Sequence, residues 1–308
     1  MPHHFSCSRC RTPIPRAGRI LSRFFARMVI VGALVVPVSE VSPAAAQVPE
    51  PNRVEIRYEE PKNAAHGPIL DSIRTKAVLE RVQKLFSPFR LPRPLLFRTT
   101  GCDGEVNAWF EQDAVTVCYE YIEYVLRAAA DKSRPAWVSE ESAISGAMID
   151  VFLHEGAHAL FDYLKIPVLG REEDAADQVA GFMLLSLGRK DTPQLVGGIV
   201  YIYLNEAGIL DFNRLKRRRL MLVDGKELAD AHSTPLQRMY GTLCLAYGAD
   251  RPLFLAEALR SALPAERLEG CAAEFDQISR AFQQLLLPHI DREVLRRVLS
   301  DDSLSIRN

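Results

Sequence analysis

His154-Glu155-Gly156-Ala157-His158 sets two imidazoles and a carboxylate inside an apolar run, with Val151-Phe152-Leu153 before it and Ala159-Leu160-Phe161 after it. On a helix, residues four apart share a face, so His154 and His158 can reach one metal ion. Neutral imidazole suits zinc, which lowers the pKa of a water it holds to about 7. Glu155 sits one step round the helix, placed to take a proton from that water rather than to bind the ion. The chemistry these types predict is metal-assisted hydrolysis. A chance match is the competing reading. It leaves ionisable side chains in an apolar helix without partners, which folded proteins avoid.

Two protein ligands are too few for a catalytic zinc, which usually takes three and leaves the fourth place for water. The extended motif H-E-x-x-H-x-x-G-x-x-H is excluded, because Phe161 stands at its glycine and Leu164 at its last histidine. Downstream, after a turn at Pro167–Gly170, Glu172-Glu173-Asp174-Ala175-Ala176-Asp177 opens another helical run. Glu173, Ala176, Asp177 and Ala180 share one small, acidic face that can approach the histidine helix closely. Glu173 is the expected third ligand, with Glu172 as its rival. Asp177 is expected to accept a hydrogen bond from a ligand imidazole and orient it. Carboxylates also favour a helix N-terminus for electrostatic reasons, and Glu172 and Asp174 are assigned to that role alone.

H-E-x-x-H followed by E-x-x-A-D (Glu173, Ala176, Asp177) resembles the gluzincin metallopeptidases. With Cys118-Tyr119-Glu120 and Gly170-Arg171 added, the chain resembles a bacterial metallopeptidase family catalogued as a domain of unknown function. The resemblance runs over most of the chain and implies a zincin-like fold and one zinc ion per chain. It also draws attention to Asn107-Ala108-Trp109-Phe110, since thermolysin-like enzymes carry an Asn-Ala-aromatic edge strand ahead of the active helix. Main-chain bonds to a sheet edge suit a peptide or protein substrate because they ignore side-chain identity. Asn107 and Ala108 are the candidate substrate-binding residues; an ordinary hairpin with Trp109 in the core is the alternative. His232 is a candidate donor to the oxyanion of a tetrahedral intermediate, against the plainer reading of a surface residue at a helix start. Tyr240 is a weaker candidate.

The ends and composition bound what the chain can be. Arginines 9, 11, 16, 19, 23 and 27 precede the apolar run Met28–Val38, and Ala44-Ala45-Ala46 offers a small-residue cleavage site. Residues 1–46 are therefore expected to be an export signal, and 47–308 one zincin-like domain. The run is too short to span a membrane, and no second run of eighteen or more apolar residues exists, so no transmembrane span is expected. Cys7 and Cys10 fall inside the signal. Removing it leaves 32 basic and 38 acidic residues, a net charge near −6, which argues against a nucleic-acid partner. Lys216–Arg219 is the only dense basic cluster, read as a solvated helix face. An exported, periplasmic or secreted, protein meets an oxidising compartment. Cys102, Cys118, Cys244 and Cys271 are expected to pair by proximity as Cys102–Cys118 and Cys244–Cys271, each closure contributing roughly 3 kcal/mol.

Several elements must position the motif. Alternation predicts a strand at Val54–Tyr58; Leu95–Arg98 reads as another strand, and 107–110 and 115–119 as two short strands joined by a turn at Glu111–Ala114. Helical spacing predicts helices at Asp71–Phe86, Tyr121–Ala130, 141–164, 172–187, 193–207, 234–246, 253–262, 265–287 and 291–299. A small N-terminal mixed sheet followed by a largely helical half is an α+β arrangement. The competing function is a non-catalytic extracytoplasmic binding or scaffold protein that keeps the zincin fold.

Overall fold

The computed structural model describes residues 53–209, 229–260 and 263–300. The expected export signal with Cys7 and Cys10, and the basic cluster Lys216–Arg219, lie outside the described residues. The fold class is α+β, as the pattern of elements predicts.

Four strands make one sheet: β1 (Val54–Tyr58), β2 (Leu95–Thr100), β3 (Ala108–Glu111) and β4 (Ala114–Cys118), in the order β1-β2-β4-β3. β1, β2 and β4 run parallel, while β3 runs antiparallel to β4 and forms one edge. Every residue of β4 is buried, which is why it reads as an apolar run rather than an alternation. Gln112 and Asp113 both take positive φ (49° and 66°), the pair of left-handed residues a two-residue hairpin needs.

The expected single helix over Asp71–Phe86 is two helices, α1 (Gly67–Thr75) and α2 (Val78–Phe86), parted at Ala77 with φ 49°. The cause is tertiary. The Tyr58 hydroxyl of β1 accepts the Leu79 N–H at 2.9 Å and donates to Glu80 at 2.7 Å, so it starts a new helix where the periodicity alone continues the old one.

α3 (Tyr119–Ala129) leads to α4 (Glu140–Leu164), which carries the H-E-x-x-H residues. Ser139 caps α4, its side chain accepting from the Ser142 N–H at 2.9 Å. The helix is buried nearly all round and crosses α6 (Thr192–Glu206) backbone to backbone. A Cβ on Gly198 would lie 1.9 Å from the Ser142 carbonyl oxygen, so only glycine fits this crossing. α5 (Glu172–Leu185) packs beside α4. Beyond come α7 (Pro235–Ala249), α8 (Arg251–Arg260), α9 (Ala265–Leu285) and α10 (Arg292–Leu299).

Both expected disulfides are present. Cys102–Cys118 ties the loop before β3 to the end of β4, and Cys244–Cys271 ties α7 to α9. Among the described residues, no helix is long and apolar enough to cross a membrane.

Candidate metal centre

α4 turns His154 and His158 to one side, and α5 approaches that side because Ala176 packs fully buried against Ala157 and Phe161. The turn between the helices is closed by Gly170 at φ 103°, a conformation costly for any side-chain-bearing residue. Glu173, in the first turn of α5, thereby reaches both histidines. Its Oε2 lies 3.1 Å from His154 Nε2 and 3.3 Å from His158 Nε2, and the two Nε2 atoms are 3.3 Å apart. Three ligand-type atoms form a nearly equilateral triangle. A tetrahedral ion with bonds of about 2.0–2.1 Å separates its ligands by about 3.3 Å, so the donor set fits zinc in size and in chemistry.

Residues 58–286, about three quarters of the chain, match the sequence family described as "Putative metallopeptidase". This chain belongs to that metallopeptidase family. No curated protein and no solved structure matches it. Membership implies a metal ion. Among the described residues, the other cluster of ligand-type side chains is Cys102, Cys118 and Glu120, whose cysteines are spent in a disulfide. Among the described residues, the histidine–glutamate triangle is the candidate for that ion.

The far nitrogen of each imidazole rests on a carboxylate. His154 Nδ1 lies 2.8 Å from Asp177 Oδ1, and His158 Nδ1 lies 2.8 Å from Glu172 Oε1. Glu172 therefore does more than favour a helix terminus, and it is not one of the triangle atoms. Asp174 also differs from expectation: it accepts the Ser233 hydroxyl at 2.7 Å. Both departures arise because the first turn of α5 lies between α4 and the loop before α7.

Charge is concentrated here. Burial lowers His154, but bonds to Asp177 and Glu173 outweigh it and hold the imidazole at about 9. The His154 bond takes Glu173 down to about 2 against the opposing effect of burial. For Asp177 burial is the larger single influence and raises it, yet bonds to His154 and Arg238 together bring it to about 2. Glu155 is 8% exposed, and burial raises its carboxyl.

His232 comes to the same place from the loop before α7. Its Nε2 lies 2.9 Å from Glu173 Oε2, and Asp230 lies 3.2 Å from its Nδ1. Arg171 pins this loop by donating to the Ala231 and Asp230 carbonyls at 2.6 and 2.9 Å. A cleft of about 160 Å³ joins His154, Glu155 and His232 to Asn107 and Ala108 of the sheet edge. The Ala108 N–H is taken by the Asn107 side-chain carbonyl at 2.8 Å. Trp109 is half-buried, while Ala108 and Phe110 pack against the core on the other face of β3. Tyr240 is half-buried and is not a lining residue of the cleft.

Sequence reasoning missed further residues of the cleft wall, among them Asp150 of α4, Tyr203 and Glu206 of α6, and Arg238 of α7. Asp150 carried a readable signal, lying one helical turn before His154 on the same face of an apolar helix. Arg238 carried a weaker one, a cation in the first turn of a helix where the macrodipole disfavours it.

Proposed function

We propose that this chain is an exported, zinc-dependent peptidase of the gluzincin type. His154, His158 and Glu173 hold the ion, Asp177 orients His154, and Asn107 and Ala108 align an extended peptide. The observation that carries this reading is the triangle of Nε2 and Oε2 atoms at 3.1–3.3 Å, set beside Glu155 at one end of a cleft bordered by a sheet edge. When bound, zinc supplies the positive charge that polarises a carbonyl and acidifies water.

The chain's own residues do the rest. Glu155, buried and raised in pKa, takes the proton of the attacking water and passes it to the leaving amine. His232, steadied by Asp230, donates from Nε2 to the developing oxyanion once it releases Glu173 Oε2. The outer edge of β3 offers main-chain groups to a peptide once the Asn107 side chain releases the Ala108 N–H. A scaffold protein with a purely structural zinc would close the ion with a fourth protein ligand. Among the described residues, the ligand cluster at the histidines holds three side chains, which favours the peptidase.

Glu155→Gln is the direct test. It is expected to keep zinc and to lose peptide hydrolysis by about 10²–10⁴-fold. Full residual activity in that variant would remove Glu155 from the chemistry. Export is supported by the two disulfides; non-reducing peptide mapping of the protein recovered outside the cytoplasm is expected to show both, and four free thiols there would contradict it.

A further inference from the structure

The guanidinium of Arg238 packs against Asp177, the partner of His154, and its bonding is specific. Nε donates to Asp177 Oδ2 at 2.8 Å and Nη2 donates to Asp177 Oδ1 at 2.5 Å, a planar fork on a planar carboxylate. The same Oδ1 faces His154 Nδ1 at 2.8 Å. Arg238 Nη2 lies 3.4 Å from that Nδ1. A guanidinium can only donate and an ionised carboxylate can only accept. The 2.8 Å contact therefore places a hydrogen on Nδ1, so that Nε2, which faces Glu173 Oε2 at 3.1 Å, is the nitrogen that gives up its proton when an ion binds.

On its other side Arg238 lies over the Tyr203 ring, 4.8 Å from the centroid, and Tyr203 donates to Asp150 at 2.7 Å. The guanidinium is thus held by α6 while it holds α5. A carboxylate bonded only by His154 could turn about its own axis; two bonds from Arg238 fix its plane.

We propose that Arg238 is a positioning residue for the metal centre: acting through Asp177, it sets the tautomer and ring angle of His154 and so raises affinity for zinc without touching the ion. The inference rests on the reading of His154, His158 and Glu173 as a zinc site. Lysine could restore the charge but not the fork, so Arg238→Lys is expected to rescue only in part.

The test is a double-mutant cycle on zinc affinity, measured by competition with a chromophoric chelator, with circular dichroism reporting the fold. Arg238→Met is expected to weaken zinc by about tenfold, Arg238→Lys by less, and Asp177→Asn by about ten- to a hundredfold. Adding Arg238→Met to Asp177→Asn is expected to cost nothing further, because the carboxylate through which Arg238 acts is already gone. Affinity within about twofold of wild type in Arg238→Met, or losses that multiply in the double variant, would overturn the proposal. Should Arg238→Met not fold, the fully wild-type affinity of a folded Arg238→Lys would overturn it equally. A wild type that binds no zinc would remove the site reading and this inference together, whereas wild-type binding with an unaltered Arg238→Met removes this inference alone.

Discussion

His154 and His158 each rest Nδ1 on a carboxylate at 2.8 Å, yet the two sides of the centre are built differently. On the His154 side, Asp177 is 23% exposed and is gripped by Arg238 from a third helix. On the His158 side, Glu172 is 57% exposed and stands at the rim, in the first turn of α5. Identical distances do not mean equal worth. A bond at the rim competes with water and must order a long side chain, so it gains little. A bond inside the protein is made where water cannot replace it, and losing one partner leaves the other uncompensated.

The largest difference is expected on the buried side. Asp177→Asn should weaken zinc binding by about ten- to a hundredfold, read by chelator competition, because the amide has no charge and sets an NH2 donor against either the Arg238 fork or His154 Nδ1. A loss below about twofold would erase the contrast between the two sides.

A smaller effect is expected from pH. His154 stands at about 9 in the folded chain, above its ordinary 6.5. Its charged pairing therefore contributes fully below about pH 6.5 and is lost as pH rises through about 9. Asp177 and Glu173, held at about 2, contribute above their ordinary range and lose that only in strong acid. Without zinc, the Tm should fall between about pH 6.5 and 9. Zinc needs the imidazole neutral, so the increment in Tm that zinc produces should grow over the same window. Thermal unfolding with and without zinc checks both slopes; an increment that shrinks with pH would contradict the assignment of His154.

The smallest effect is expected at the rim. Glu172→Gln should change zinc affinity by no more than about threefold, within the range of an exposed ion pair. A loss as large as that of Asp177→Asn would show that the outer carboxylate also governs its histidine.

The same contrast explains what could be read in advance. His154, Glu155, His158 and Glu173 sit on two consecutive helices joined by a short turn, so spacing alone brings them together. Asp177 follows from Glu173 by one helical turn. Glu172 was assigned to the helix terminus because its contact with His158 depends on the crossing of α4 and α5, which spacing does not encode. Arg238 meets His154 across 84 residues of chain, so only the assembled fold could place it. The strands were legible as one alternation and a hairpin, but their order was not: β2 lies between β1 and β4 and pairs parallel to both, a pairing of distant segments that local pattern does not encode. The break between α1 and α2 was hidden for a similar reason, its cause being the hydroxyl of Tyr58 on a distant strand.

The most direct test of the account is the metal content of the purified protein, wild type beside His158→Ala and Glu173→Ala. About one zinc per chain, lost or strongly reduced in both variants, is the expected result. No metal in the wild type after zinc is supplied and the excess removed would contradict the account at its centre.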